Sequence, residues 1–114
     1  MAHKITKREE YSTGIGNLKI TAFSGDANHS DITISINDIP VVNDFNKIEN
    51  FDLGAVENLK NKDILAYARI SKTGLGDHVS FTVKLNDNSK SEVYAYSTEE
   101  EDDIIKYYVF IRIK

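Results

Sequence analysis

The chain contains no cysteine, no tryptophan and a single proline. Without thiols there can be no disulfide, no thiolate metal centre and no cysteine nucleophile. The missing tryptophan and cysteine pair remove the core signature of antibody-type domains, so an immunoglobulin-like reading describes architecture alone. No run approaches the ~20 apolar residues of a membrane-spanning helix, and membrane insertion is not expected. Met1 to Tyr11 is polar and charged and does not read as a secretory signal.

Positive charge is also sparse. Fourteen Lys and Arg face eighteen Asp and Glu, for a net charge of -4. The basic residues are scattered, with Lys4, Lys7 and Arg8 at the start, Lys60 and Lys62 in the middle, and Arg112 and Lys114 at the end. Nucleic acid is therefore not an expected partner.

What remains is a globular composition in 114 residues, 40% apolar and 28% charged. One domain, residues 1–114, is expected, long enough to bury a core without covalent staples.

The strongest positive signal is strict two-residue alternation, the period of a half-buried strand. Val79, Phe81, Val83 and Leu85 alternate with His78, Ser80, Thr82 and Lys84. Ile32, Ile34 and Ile36 alternate with Thr33, Ser35 and Asn37, and Leu18, Ile20 and Ala22 with Asn17, Lys19 and Thr21. Ile105, Tyr107, Val109, Ile111 and Ile113 form one face of a last strand. β-branched and aromatic residues suit these pleated positions.

Turn-forming residues separate the runs: Ser24 to Asn28, Thr73 to Asp77, and Asn86 to Ser89. Each loop is short enough for a hairpin. Directly opposed residues of an antiparallel pair share a face and have a constant index sum. Ile70 opposite Val79 aligns Ala68 with Phe81, Ala66 with Val83 and Ile64 with Leu85. Ile20 opposite Ile34 aligns Leu18 with Ile36 and Ala22 with Ile32. Both pairings are apolar throughout, and two hairpins are expected.

Val41 to Asn61 reads as short helical turns or as a strand near Ile48–Leu53, and is expected to carry the chain between two sheets. Pro40 beside Val41 and Val42 suggests an edge strand or a crossover. The expected fold is an all-β, antiparallel β-sandwich of immunoglobulin-like architecture, with about seven to nine short, mostly hairpin-connected strands. A small closed β-barrel is the alternative.

Motifs of chemistry are few. Gly14-Ile15-Gly16 and Gly74-Leu75-Gly76 precede strands, whereas a nucleotide fingerprint precedes a helix, so they read as turn glycines at positive φ. His3, His29 and His78 have no ligand spacing. Asp26, Asp31, Asp38, Asp44 and Asp87 lie in loops or beside them, where a sandwich can bind calcium, but no segment supplies the six to eight oxygens locally. Glu99 to Asp103 reads as a solvated hairpin loop, with contact to a basic partner as the functional reading. No serine has the nucleophile-elbow pattern. No cofactor and no enzymatic activity are expected.

One feature invites a partner. Tyr94 and Tyr96 alternate with Val93 and Ala95, and Tyr108 and Phe110 with Tyr107, Val109 and Ile111. If these two runs pair as neighbours, one register gathers Tyr94, Tyr96, Tyr108, Phe110 and Arg112, with Lys106, on one outer face. Aromatics edged by cations are enriched at protein interfaces. A one-residue slip instead sends Tyr94 and Tyr96 to the core. The first register segregates charge from aliphatic residues. The expected function is a non-enzymatic interaction module that binds another protein or its own copy through this face. The alternative is a ligand-binding module for calcium, carbohydrate or lipid, using acidic loops at one end.

Overall fold

The alternating runs become the inner and outer faces of two stacked sheets in the computed structural model, which describes residues 2–25, 28–72, 78–99 and 102–114. The elements are β1 (Ala2–Tyr11), β2 (Asn17–Ser24), β3 (Asn28–Ile36), β4 (Ile39–Phe45), β5 (Lys47–Ala55), α1 (Val56–Leu59), β6 (Asp63–Lys72), β7 (His78–Asn86), β8 (Ser91–Glu99) and β9 (Ile104–Ile113). One sheet has the order β1-β9-β6-β3-β4 and the other β5-β2-β7-β8. The chain is thus an all-β sandwich, and the barrel alternative is not adopted because the sheets remain separate, each with two open edges.

Burial follows the alternation. Leu18, Ile20 and Ala22 of β2 and Val79, Phe81, Val83 and Leu85 of β7 face the core from one sheet. Ile32 and Ile34 of β3, Ile64 to Ile70 at every second position of β6, and Ile105 to Ile113 at every second position of β9 face it from the other. The Phe81 and Tyr107 rings meet across the layers at 5.6 Å. Each fully buried large aliphatic side chain in this layer contributes roughly 1.5–3 kcal/mol.

The expected hairpin partners are corrected. Ile70 stands opposite Ser30 and Ile105, while Val79 stands opposite Thr98. Ile20 stands opposite Phe51 and Leu85, while Ile34 stands opposite Val42 and Ala66. Strands β2 and β3 lie in different sheets, as do β6 and β7, and β8 and β9. Among sequential strands only β3–β4 and β7–β8 are hairpins, so the chain is not mostly hairpin-connected. The proposed pairs instead face one another across the core, where β2 packs on β3 and β6 on β7. Short loops serve as arches between layers as readily as hairpin turns.

The Val41–Asn61 segment does cross between sheets. β4 is the edge of the first sheet, with Pro40 in it, and β5 the edge of the second. β1 pairs with β9 in parallel, from Ala2 opposite Ile104 to Tyr11 opposite Ile113, which makes the first sheet mixed.

The two glycines before β2 do different work. Gly16 has φ +87, the left-handed region that glycine enters freely. Gly14 is required by space: a Cβ there would sit 2.6 Å from an Asp87 carboxylate oxygen. Gly74 and Gly76 lie outside the described residues.

Candidate functional site

The register decides where the expected aromatic face goes. β8 pairs with β7, which places Tyr96 opposite Phe81 and Tyr94 opposite Val83. Both partners are fully buried, so Tyr94 and Tyr96 point inward and pack against the core. β9 lies in the other sheet with Tyr107 inward, so Tyr108, Phe110 and Arg112 point outward. The five residues therefore do not share a face. The one-residue alternative is the arrangement adopted by Tyr94 and Tyr96.

Tyr94 and Tyr96 occupy the seam where edge strand β8 overlies edge strand β1. The Tyr94 hydroxyl donates to the Glu10 carbonyl at 2.9 Å, and the Tyr96 hydroxyl donates to the Glu9 carboxylate. The Lys7 ammonium lies 5.8 Å from the Tyr96 ring centroid. The Tyr96 and Tyr107 rings stack at 6.4 Å. A cleft of about 360 Å³ opens here, lined by His3, Ile5, Lys7, Tyr96, Thr98 and Tyr107 among others. The Tyr107 hydroxyl is buried and has no hydrogen-bond partner among the described residues. Burial pushes the Tyr107 phenol up to about 12. Burial, with the Glu92 and Glu9 carboxylates nearby, takes Tyr94 to about 12 as well. Tyr96 moves the same way, through burial first and then its bond to Glu9.

Tyr108 and Phe110 gain new neighbours on the outer side. Tyr67 of β6 is directly opposite Tyr108, with ring centroids 5.0 Å apart at 51°. Leu65 is directly opposite Phe110. From the other flank, Arg8 of β1 stands opposite Phe110 and places its guanidinium 4.9 Å from the ring centroid. Arg112 stands opposite Asp63 and binds both its carboxylate oxygens, at 2.6 and 3.1 Å. Leu65, Tyr67, Tyr108 and Phe110 are half-buried, shielded mainly by one another and by these arms. Burial and the neighbouring Tyr108 raise the Tyr67 phenol. A shallow pocket of about 430 Å³ continues from Phe110 between Arg8, Asp63, Arg112 and Lys114.

This outer face carries Lys4, Arg8, Arg69, Lys106 and Arg112 against Glu10, Asp31 and Asp63. It is cationic in a chain whose net charge is -4. At its far edge Phe45, opposite Asp31, is 71% exposed. Tyr67 and Leu65 were missed in the sequence because Asp63–Lys72 was paired with the wrong neighbour. Their alternation with Ile64, Ala66 and Ala68 is the signal that finds them.

The acidic loops do not converge. Asp31 and Asp44 sit at one end of β3 and β4, whereas Asp38 sits in the turn at the other end, about 20 Å away along the strand. Asp87 is engaged elsewhere, accepting hydrogen bonds from Tyr11 Oη, Ser89 Oγ and the backbone N–H groups of Gly14, Ser89 and Lys90. Among the described residues no cluster of three or more His, Asp or Glu could hold a metal ion. Asp26 of the calcium reading and Glu100 and Glu101 of the acidic run lie outside the described residues. That run joins β8 in one sheet to β9 in the other, so it is not a hairpin loop. Asp102 places a carboxylate oxygen 3.9 Å from His3 Nδ1.

No protein-family model, no curated protein and no solved structure matches the chain.

Proposed function

We propose that the domain is a non-enzymatic interaction module that docks another protein on the outer face of β1, β9 and β6. The observation carrying this reading is the Leu65–Tyr67–Tyr108–Phe110 cluster, which lies on the solvent side of a sheet whose opposite side already supplies the core. Packing the monomer does not require aromatics there. Large rigid rings with arginine at the rim are the groups that supply most binding energy at interfaces.

The cationic rim selects the partner. A second copy docked by the same face about a two-fold would set one net-cationic surface against another, a like-charge juxtaposition that opposes association. A partner with an apolar centre and acidic surround is complementary.

A displayed random-peptide library tests this without the natural partner in hand. Selected peptides should combine Asp or Glu with apolar residues, bind faster at low salt, and lose at least tenfold in affinity to Phe110→Ala and Arg8→Ala. Peptides that bind both variants as tightly as the parent chain would overturn the proposal.

A further inference from the structure

A two-sheet sandwich has four edge strands, each presenting backbone groups to which another strand can add. Three of the four edges here carry recognised protection. β4 contains Pro40, which has no N–H to donate, and has a register shift opposite Ile34 and Ser35. β5 has two irregularities against β2, with Asn50 at φ 48 and Gly54 at φ +102. β1 carries Lys4, Lys7, Arg8, Glu9 and Glu10, and Lys7 and Glu9 fall on its inward side, opposite Val109 and Ile111. Inward charges on an edge are an established defence against strand addition.

β8 is the least protected: its charges are confined to its two ends, Glu92, inward opposite Leu85, and Glu99. Its pairing with β7 runs unbroken from Glu99 opposite His78 to Ser91 opposite Asn86. Val93 to Thr98 holds six residues without charge, proline or glycine, and Val93 is 59% exposed. Such a segment on a free edge pairs indiscriminately unless something specific covers it.

The strand is complementary to itself. Aligned antiparallel about Ala95, each residue meets the one whose number brings the sum to twice that position. Ala95 then faces its own copy, Val93 faces Ser97, and Tyr94 faces Tyr96. Glu92 faces Thr98 and Glu99 faces Ser91, so neither acid meets an acid. Shifting by two residues instead makes Tyr94 or Tyr96 its own partner and leaves an end of the strand unpaired.

We infer that β8 is a homodimerisation edge: two copies of this chain pair antiparallel about a two-fold axis at Ala95, joining their four-stranded sheets into one continuous sheet. The axis is perpendicular to the sheet, so both inner faces stay on the same side and the Tyr94 and Tyr96 bonds to β1 are retained. The contact is one strand, about 30 Å long, and the dimer is reversible and concentration-dependent. It is separate from the outer face of the other sheet, which remains available to a different partner.

Light scattering on the eluting intact chain, over a range of concentrations, reads this directly. The mass should rise from 12.9 kDa toward twice that value. Ala95 is exposed, so Ala95→Lys and Ala95→Glu should each melt like the parent chain at dilutions where that is monomeric, yet stay at monomer mass as concentration rises, because each sets a charge opposite its own copy. Mixed in equal amounts, the two variants should recover the dimer. With no native cysteine, Ala95→Cys should also oxidise to a covalent dimer. A parent chain that stays at 12.9 kDa throughout overturns the inference. So does a dimer unaffected by either charge variant but lost in Phe110→Ala.

Discussion

The Tyr11 hydroxyl donates to the Asp87 carboxylate at 2.8 Å, joining residues 76 positions apart and fastening the end of β1 to the β7–β8 turn. The same carboxylate accepts from Gly14 N–H, so three segments are gathered at one end of the sandwich. Its other oxygen accepts from Ser89 and Lys90 and shapes the turn itself.

Asp87→Ala strands several of these donors at once and should cost about 3 kcal/mol, roughly 10–15 °C in melting temperature for a domain of this size. Tyr11→Phe removes one bond and should cost about 1 kcal/mol. Burial alone would raise the Asp87 carboxyl, but the hydrogen bonds from Ser89, Tyr11 and Gly14 outweigh it and hold the group well below the usual aspartate range. The folded form therefore binds this proton less readily than the unfolded chain. The stability Asp87 contributes is complete above the ordinary aspartate pKa and is lost as pH falls below it. Urea denaturation at stepped acidic pH should show this slope in the parent chain and a shallower one in Asp87→Asn. Equal slopes would mean the carboxylate is not the acid-sensitive group.

The tyrosines predict behaviour at the alkaline end. Burial raises the Tyr11, Tyr67, Tyr94, Tyr96 and Tyr107 phenols, and for Tyr11 and Tyr96 a bonded carboxylate adds to it. An unfolded tyrosine ionises near ~10. The folded state thus holds these protons more tightly, and the stability present below that value is lost as pH rises above it. Phenolate absorbance should climb together with the loss of β-sheet circular dichroism, in one cooperative step. A complete titration near pH ~10 with the fold intact would show that these phenols are solvated.

Faces were legible in the sequence and neighbours were not. Alternation at Leu18–Ala22, Ile32–Ile34, Ile64–Ile70, Val79–Leu85 and Ile105–Ile113 marks the buried side correctly, since hydrophobic burial acts on each strand separately. Pairing is a relation between strands, and any two alternating runs pass the index-sum test. Ile70 with Val79 passes it although the two belong to different layers. The same test applied across Asn86–Lys90, the true hairpin, would have set Tyr96 opposite Phe81 and turned Tyr94 and Tyr96 inward. That would have left Tyr108 and Phe110 to find Tyr67 and Leu65. β1 offers no alternation, because Lys7 and Glu9 occupy inward positions on an edge where water reaches both sides.

The Tyr107 ring belongs to the core, but its hydroxyl makes no hydrogen bond to any described residue. Burying a hydroxyl that has no protein partner costs free energy that phenylalanine avoids at nearly the same volume. Tyr107→Phe should leave stability unchanged or raise it by about 1 kcal/mol, whereas Tyr96→Phe, which loses the bond to Glu9, should lower it. Matched thermal melts of the two variants separate the cases. A loss of stability in Tyr107→Phe equal to that in Tyr96→Phe would show that the Tyr107 hydroxyl is bonded.

Asn46 turns the chain from β4 in one sheet to β5 in the other, at φ 66. Its side-chain oxygen accepts from Ser30 N–H at 2.8 Å, and its own N–H donates to the Ser30 carbonyl at 2.9 Å. Two properties of asparagine are used together: tolerance of the left-handed region and a short side-chain acceptor. Substitutions separate them. Asn46→Gly keeps the conformation and loses the acceptor, and should cost about 1.5 kcal/mol, part of it unfolded-chain entropy. Asn46→Ala loses both and should cost about 2.5 kcal/mol, since alanine meets the Cβ penalty at this φ without the local polar contact by which asparagine offsets it. Asn46→Asp keeps both and should stay within about 0.5 kcal/mol. Urea midpoints in the order Asp, Gly, Ala, with unchanged slopes, would confirm that the crossing is held by backbone conformation as well as by the bond to Ser30. An alanine variant as stable as the glycine one would assign the whole effect to the hydrogen bond.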